Sequence, residues 1–468
     1  MSRVVKLIGV AWCFALLILP GTLYLLGKRS SNVENRTLVP YPQRTLANIY
    51  RISTYRHSGD ALIDRLPLRD RAIELKSRVL LAAGDNPNPS SAVVGEDGWI
   101  YITDEVLCDA PGVTTKEFVQ NLAIARSAVL AAGKRFAFAI VPTKMVQEDR
   151  HFGRHHAWEQ CARNRQIALR RETENLPGAV DLWSPLDALS AANRDVFWRT
   201  DSHLGPRGKL AYAQALEAAV EPERSKTIKI GLGPAIVHLG DTAQLTGFRQ
   251  FEEDRPLIAV TTPATPPPPS RPILVLGDSQ TEEIQGELGN VVISSFSFCH
   301  WDKGFWNGAC DQILRQADVI AIETVARAAW RRTEIGFGVR ILGVLLPIIP
   351  AAPAEWSSVS GGSVRSGRGE TLTGPHTLLR LKMQNDRPER RRLIRLVVDT
   401  SAVGGRPSLT LLVDGKLVKR PLTSVAVALS GVEQVLEVPA GVALSRTRVA
   451  IDATPGTTVS EARVSLLG

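Results

Sequence analysis

The sequence predicts an α/β protein: a three-layer α/β/α domain of the flavodoxin-like kind, an apolar helix before it and a β-sandwich after it. Three observations lead there. Short apolar runs alternate with segments of helical spacing between residues 91 and 356. One run, Ile273 to Leu276, halts at Gly277-Asp278-Ser279, as a buried parallel strand does when it turns at its end. After residue 374 the helical period disappears and only alternating runs with turn residues remain.

The chain divides accordingly into 1–29, an apolar span; 30–90, a stalk with lead-in helices; 91–356, the α/β domain; 357–374, a Ser/Gly/Arg-rich linker; and 375–468, the sandwich. From Leu7 to Leu26 no charge occurs, a length of about twenty residues that suffices to cross a bilayer as a helix. Arg3 and Lys6 precede it, and no small-x-small cleavage site follows, which favours an uncleaved anchor. Ser30 to Pro42 is polar. Leu46 to Gly84 shows helical spacing broken at Pro67, so two helices are expected.

Within the α/β domain, Ser91 to Thr103 reads as strand about a turn at Gly98, Phe118 to Ala132 as helix, and Phe136 to Val141 as a buried strand. Pro206 to Ala219 reads as a helix. Ile273 to Leu276, Val291 to Ser294 and Val319 to Glu323 supply further strands, with Asp311 to Gln316 helical between the last two. Pro266 to Pro269 favours a polyproline connector. Ile341 to Ala354 is apolar, too short to span a membrane, and reads as an interdomain segment packed on the sheet domain. Farther on, Asp414-Gly415 between two alternating runs is a hairpin signal.

With 468 residues, 44% of them apolar, the chain has enough material for two or three packed domains. Its net charge of +9 favours an acidic partner, such as an anionic membrane surface or an acidic polysaccharide. No zinc finger, helix-turn-helix or aromatic-basic RNA signature occurs, so nucleic acid is not expected. Apart from Cys13, the cysteines are Cys108, Cys161, Cys299 and Cys310, which allow three pairings; sequence proximity favours 299 with 310 and 108 with 161, and four free thiols is the alternative. There is no CxxC. His151, His155 and His156 lack an evident further ligand, so a solvated loop is expected there and no metal or cofactor.

The chemistry is expected at Ser279, placed at the end of a strand where α/β proteins expose a nucleophile. Its base is offered by Thr200-Asp201-Ser202-His203, in which a carboxylate lies two residues before an imidazole and, in an extended segment, on the same side. Ser279 would attack an acyl carbonyl, His203 would take its proton and Asp201 would fix the His203 tautomer. The oxyanion would be held by the backbone N–H groups of Ser279 and Gln280 at the start of the following helix, with Gly277 permitting the turn. Asp278 reads as an N-cap or turn residue. His300 is a competing imidazole without a carboxylate at Asp-x-His spacing. Lys144 and Arg327 are candidate substrate-binding cations, and the alternative for Lys144 is simply to end a strand. Trp99, Trp158, Trp198, Trp301 and Trp306 are of a type that stacks on sugars, though each is more often core.

Gly277-Asp-Ser279, with Thr200-Asp-Ser-His203 and Gly205-Pro-Arg-Gly208 before it, resembles the SGNH-hydrolase-like domain of the alginate O-acetyltransferase family, the AlgX and AlgJ type. In that family the Asp-x-His element precedes the Ser element, a permuted order relative to ordinary SGNH esterases, and the order is the same here. Val94 to Tyr101, Val141-Pro-Thr-Lys144, Gly240-Asp241 and Glu323 to Arg327 are further matches, so the resemblance covers roughly residues 90 to 330. The family pattern usually has Trp after the His, where this chain has Leu204.

The resemblance implies a polysaccharide O-acetyltransferase at the periplasmic face of the inner membrane. It also implies a multi-spanning membrane acyltransferase that delivers the acetyl group, since acetyl-CoA is confined to the cytoplasm. A C-terminal sandwich in such a protein would bind carbohydrate or serve as a structural cap, with Arg387 to Arg392, Lys416, Lys419 and Arg420 suited to an anionic glycan. Two alternatives use the same residues differently: an SGNH esterase that removes acetyl groups, and a non-catalytic glycan-binding scaffold of an export complex.

Overall fold

The computed structural model describes residues 18–30, 38–83 except 44, 46, 47 and 49, 85–106, 114–153, 157–247, 252–262, 271–289 and 295–350. Beyond 351 it describes the strands named below and residues 442–446. Five parallel strands organise the α/β domain: β1 (Arg135–Val141), β2 (Ala179–Val180), β3 (Ile273–Gly277), β4 (Phe296–His300) and β5 (Val319–Val325). Their spatial order is β2-β1-β5-β3-β4, so the last strand to be made is inserted at the centre, between β1 and β3. Every residue of β3 and β5 is buried, as expected of parallel strands covered on both faces.

Alternation along the strands feeds two separate cores. Phe138, Ile140, Leu274, Leu276, Ile320 and Ile322 point to one face, where they meet Phe118 and Leu122 of α1 (Thr115–Ala131) and Phe337 and Ile341 of α4 (Phe337–Leu345). Ala137, Ala139, Val275, Val319 and Ala321 point to the other, against Tyr212 and Leu216 of α2 (Pro206–Val220). α3 (Ser279–Glu287) leaves the end of β3 directly and adds Ile284 to this second face. The result is the expected three-layer α/β/α arrangement.

Local chemistry sets the ends of these helices. α1 opens on a capping box in which Glu117 N donates to Thr114 Oγ1 at 3.3 Å and Thr114 N donates to Glu117 Oε2 at 2.6 Å. α2 starts with Pro206 in its first turn, where the missing N–H has no partner to lose. Two helices, Ile52–Ile63 and Arg69–Ala82, fill the lead-in, and a hairpin pairs Ala92–Val94 with Ile100–Ile102.

Several expectations change. The strand expected at Val291 to Ser294 lies outside the described residues, and the strand found is Phe296–His300. The apolar stretch from Ile341 opens inside α4, which is part of the sheet domain's own core: a Cβ on Gly338 would sit 2.2 Å from the Asn121 carbonyl oxygen, so α4 and α1 touch backbone to backbone. An antiparallel ribbon, Lys229–Leu239 with Glu252–Thr262, was not foreseen. Most of 357–374 is strand rather than linker: Glu355–Ser360, Ser363–Ser366 and Gly369–Leu372 pair with later strands or each other.

These strands belong to two C-terminal antiparallel sheets. One contains Ser363–Ser366, Gly369–Leu372, Thr458–Leu466, Arg392–Asp399, Gly431–Val438 and Thr423–Ala426 in that spatial order, with Ala352–Pro353 added on Thr458–Leu466. The other contains Glu355–Ser360, His376–Lys382, Thr447–Asp452, Ser408–Val413 and Lys416–Lys419. The strands flanking Asp414-Gly415 pair antiparallel, as a hairpin requires, while those two residues lie outside the described set, as does Pro266 to Pro269.

At the N-terminus residues 18–25 are helical, and most of the span expected from Leu7 to Leu26 lies outside the described residues. Among the described residues no helix is long and apolar enough to cross a membrane. Cys299 and Cys310 form a disulfide. Cys161 is also disulfide-bonded, and Cys108, its expected partner, lies outside the described residues.

Candidate active site

Ser279 is the first residue of α3 and stands half-buried at the C-terminal rim of the sheet. Its setting is held by two carboxyl groups. Asp278 is the N-cap: its Oδ1 accepts from Gln280 N at 3.1 Å, while its Oδ2 accepts from Val325 N at 2.7 Å and so ties the end of β3 to the end of β5. Glu323 returns the tie, its Oε2 accepting from Asp278 N and from Thr281 Oγ1, both at 2.9 Å. Burial, then the neighbouring Asp278 charge, pushes the Glu323 pKa well above the ordinary carboxylate value. Gly277 is needed for closeness rather than for an unusual φ. A Cβ there would lie 2.8 Å from Glu323 Oε2 and 3.0 Å from Thr281 Oγ1.

The second element is a closed loop. A bridge between Phe197 and Leu204, with Trp198 N donating to His203 O at 3.3 Å, folds residues 197–204 back on themselves. Asp201 and His203 meet within that turn, where two-residue spacing still keeps the carboxylate close enough to orient the ring. Asp201 Oδ1 accepts from the backbone N of His203 at 2.9 Å and lies 2.5 Å from His203 Nδ1, which fixes the ring's orientation. Asp201 Oδ2 accepts from Asp241 N at 3.1 Å.

Asp241 is a second carboxylate at the same imidazole. Its Oδ2 lies 3.8 Å from His203 Nδ1, and its two oxygens accept from Ser202 N at 2.7 Å and Ser202 Oγ at 2.6 Å. Burial alone would lower the His203 pKa, but Asp201, then Asp241 and Glu283, overcome it and raise the value to about 9. Burial and the Asp201 charge together push the Asp241 pKa up.

Gln280 joins the two elements. Its amide Nε2 donates to Ser202 O at 3.0 Å and its Oε1 accepts from Leu204 N at 3.1 Å, so the residue after the serine grips both neighbours of His203. Leu204, at the position where the family usually has Trp, is buried and contributes its backbone N–H to this grip. His203 Nε2 is buried and accepts or donates no hydrogen bond, Ser279 Oγ included. The Gln280 backbone N–H, expected in the oxyanion site, is engaged by its N-cap.

Lys144 does not reach a substrate. It is fully buried, and its Nζ donates to the carbonyls of Ile100 at 2.5 Å, Arg199 at 2.8 Å and Asp201 at 3.1 Å, with the Trp99 and Tyr101 rings about it at 5.0 and 5.1 Å. Its work is to hold the loop that carries Asp201. Arg327 does line a cleft with Ser279, a space of about 360 Å³ bordered also by Asp104, His300, Arg331 and Arg332. Arg327 Nη1 donates to Glu105 Oε1 at 3.1 Å, and Arg332 is bidentate to Asp302 at 2.6 and 3.0 Å.

Of the tryptophans, Trp99, Trp198 and Trp301 are core residues rather than sugar platforms, and Trp306 packs against the core; the Trp158 side chain lies outside the description. Arg392 is likewise buried and donates to Val442 O, so it does not face a glycan; residues 387–391 lie outside the described set. Among the described residues, two groups of carboxylates and imidazole have the spacing of metal ligands. One is the Asp201, His203 and Asp241 group. The other is Glu148, His151 and Asp195, where Arg150 Nη2 supplies the positive charge at 3.0 Å from Glu148 and 2.7 Å from Asp195. His155 and His156 lie outside the described residues.

Residues 92–284 match the family model described as "SGNH hydrolase-like domain, acetyltransferase AlgX". This segment is similar to the AlgX type of acetyltransferase domain. A 160-residue stretch is 31% identical to the probable alginate O-acetylase AlgJ of Pseudomonas syringae pv. tomato, covering 32% of this chain. The match spans 40% of that relative's length. Among solved structures, the chain is similar to the O-acetyltransferase domain of Pseudomonas putida AlgJ, at 21% identity over 51% of this chain and 92% of that one, with a TM-score of 0.38. It is also similar to Pseudomonas aeruginosa AlgX, at 12% identity over 81% and 94%, with a TM-score of 0.37. The AlgX-type segment contains Lys144, Asp201, His203, Asp241, Gly277, Ser279 and Gln280, while Glu323 and Arg327 lie beyond it.

Sequence reasoning passed over three contributors. Asp241 was noted only as part of a matched Gly-Asp pair, Glu323 only as the start of another match, and Glu105 not at all. A signal existed for Glu323, a carboxylate inside an otherwise apolar strand, which demands a polar partner. For Asp241 and Glu105 the partners are distant in sequence, and no local pattern marks them.

Proposed function

We propose that this protein is a polysaccharide O-acetyltransferase that carries the acetyl group on Ser279. The observation that supports it most is the Gln280 grip, which seats the Asp201–His203 pair beside the start of α3 at one rim of the sheet. Ser279 Oγ attacks the acetyl carbonyl carbon; the carbonyl electron pair moves to oxygen and the Oγ proton passes to His203 Nε2. Collapse breaks the bond to the donor's leaving oxygen, which takes that proton. A sugar hydroxyl then repeats the sequence in reverse roles, giving up its proton to His203 and leaving as the acetyl ester, with Ser279 regenerated.

The acceptor in this reading is an exported, anionic polysaccharide. Arg327 and Arg331 border the Ser279 cleft, although Asp104 and Asp302 border it too. The chain's net charge of +9 acts in the same direction at longer range. We read residues 7–26 as a membrane anchor holding the domain on the periplasmic side, where a multi-spanning acyltransferase supplies the acetyl group. The two C-terminal sheets are read as a β-sandwich that holds or braces the polymer.

The test is acetyl release from 4-nitrophenyl acetate by the full chain and by Ser279→Ala, with and without an anionic oligosaccharide. The reading expects the variant to lose activity and the wild type to place acetyl on the oligosaccharide. Ser279-dependent release to water alone, unaffected by added glycan, would identify an esterase instead. Equal rates in both proteins would leave only a glycan-binding scaffold.

A further inference from the structure

His300 ends β4 at the same rim as the serine: on the adjacent parallel strand its register partner is Gly277, two residues before Ser279, and both side chains border the one cleft. The ring is only 12% exposed. Its Nδ1 accepts from the backbone N–H of Asp302 at 3.0 Å and of Lys303 at 3.3 Å, capping the π-helical turn Trp301–Phe305. An imidazole nitrogen that accepts two N–H bonds carries no proton, so the single ring proton sits on Nε2.

Nε2 is 3.8 Å from Glu282 Oε2, beyond hydrogen-bond reach, and that carboxylate is already met by Lys303 Nζ at 2.5 and 2.7 Å. Burial, together with Lys303, keeps the ring below the usual imidazole pKa against the opposing charges of Glu282, Asp302 and Asp278. His300 is therefore a neutral ring with a fixed tautomer and an uncommitted N–H in the Ser279 cleft. Its segment is braced. Arg332 holds Asp302 bidentately, and the Cys299–Cys310 disulfide closes the loop behind it.

Of the two backbone donors expected for the oxyanion, the Gln280 N–H is turned to its own N-cap, which leaves the Ser279 N–H and room for a second donor beside it. We infer that His300 is a further catalytic residue, whose Nε2–H donates to the acetyl oxygen as negative charge develops on it during attack by Ser279. This rests on the acyl-transfer reading above. The proton on Nε2 stays with His300 throughout; the proton that moves is the one between Ser279 and His203. A neutral donor suits this task, since an imidazolium would pair with Glu282 and lose its N-cap.

Two substitutions separate the cap from the donor. Asn at position 300 places an acceptor near Nδ1 but no donor near Nε2, whereas Gln places an amide N–H near Nε2 and forfeits the cap. With 4-nitrophenyl acetate and the full chain, His300→Asn should lower kcat about 100-fold with little change in KM, the loss typical of one oxyanion donor. His300→Gln should be at least about tenfold faster than His300→Asn even if it melts at a lower temperature. A His300→Asn enzyme within about threefold of wild type, or a His300→Gln enzyme no faster than His300→Asn, overturns the inference. Ser279→Ala, run alongside, tells the two failures apart: if it stays inactive, only the role of His300 falls, and if it keeps wild-type activity, the acyl-transfer reading falls and takes His300 with it.

Discussion

His203 is asked to act as a base while two carboxylates hold its proton in place. With a pKa near 9, about one ring in a hundred is neutral at pH 7, so turnover of a small ester should climb with pH toward 9 rather than level off near 6.5. The sign for stability is opposite. A folded-state pKa above the unfolded 6.5 contributes stability that is complete below about 6.5 and is lost as pH rises through about 9, so activity should rise while the melting temperature falls across that window. Asp201→Asn should move the rate-limiting ascent to lower pH, because the largest source of the upward shift is removed; a pH–rate profile of kcat/KM checks it. Lys144 makes a different prediction. Lys144→Met takes the ammonium from the buried carbonyls of Ile100, Arg199 and Asp201, of which Arg199 O keeps the Ile100 N–H at 3.0 Å, and the expected cost is about 2–3 kcal/mol, read by denaturant unfolding. Activity should fall with it, since the Asp201 carbonyl is one of the three. At this scale the contact of Asp201 with His203 and the place of Ser279 at the end of β3 were legible from local spacing. Lys144 was misassigned because a cation's burial depends on what surrounds it: here carbonyls from Ile100, Arg199 and Asp201.

The segment that delivers Asp241 meets the Asp201–His203 loop through glycine. Gly240 precedes Asp241, and a Cβ there would stand 1.9 Å from the Thr200 carbonyl oxygen, which is backbone and has no slack. Gly240→Ala therefore has to move the strand end that delivers Asp241 or the turn that delivers Asp201. A loss of about 1–3 kcal/mol in stability is expected, with at least about tenfold lower activity, measured as thermal midpoint and ester turnover on the same preparation. An alanine variant with wild-type values for both would show that this close approach is not required. Elements whose period lies wholly within themselves, such as α1, α2, β3 and β5, were legible from spacing. Residues 357–374 read as a linker because Ser and Gly dominate there, and pairing such as that of Glu355–Ser360 with His376–Lys382 overrides that composition.

Across the whole molecule the surplus of positive charge separates two substrates. Attraction of an anionic polymer is screened over about 10 Å at 0.1 M salt and about 3 Å at 1 M, whereas a neutral ester feels none of it. Transfer to an anionic oligosaccharide should fall steeply between those salt concentrations while hydrolysis of 4-nitrophenyl acetate stays level, and parallel kinetics of both reactions would test it. Equal salt sensitivity of the two would place the charge effect outside acceptor recognition.

The sequence by itself determined the α/β class, the strand that ends at Ser279, the Asp-x-His pair and the order of the two elements, because each is encoded by near neighbours whose spacing sets which side of the backbone they occupy. Only the tertiary structure decided that β5 enters between β1 and β3, bringing Glu323 and Val325 against Asp278. It alone placed Gln280 on the His203 loop, Asp241 beside the imidazole, Lys144 inside and His300 at the cleft. Those relations join residues tens to hundreds of positions apart, and a hydrogen bond or a buried charge has no local period to read until the chain has brought its partners within about 3 Å.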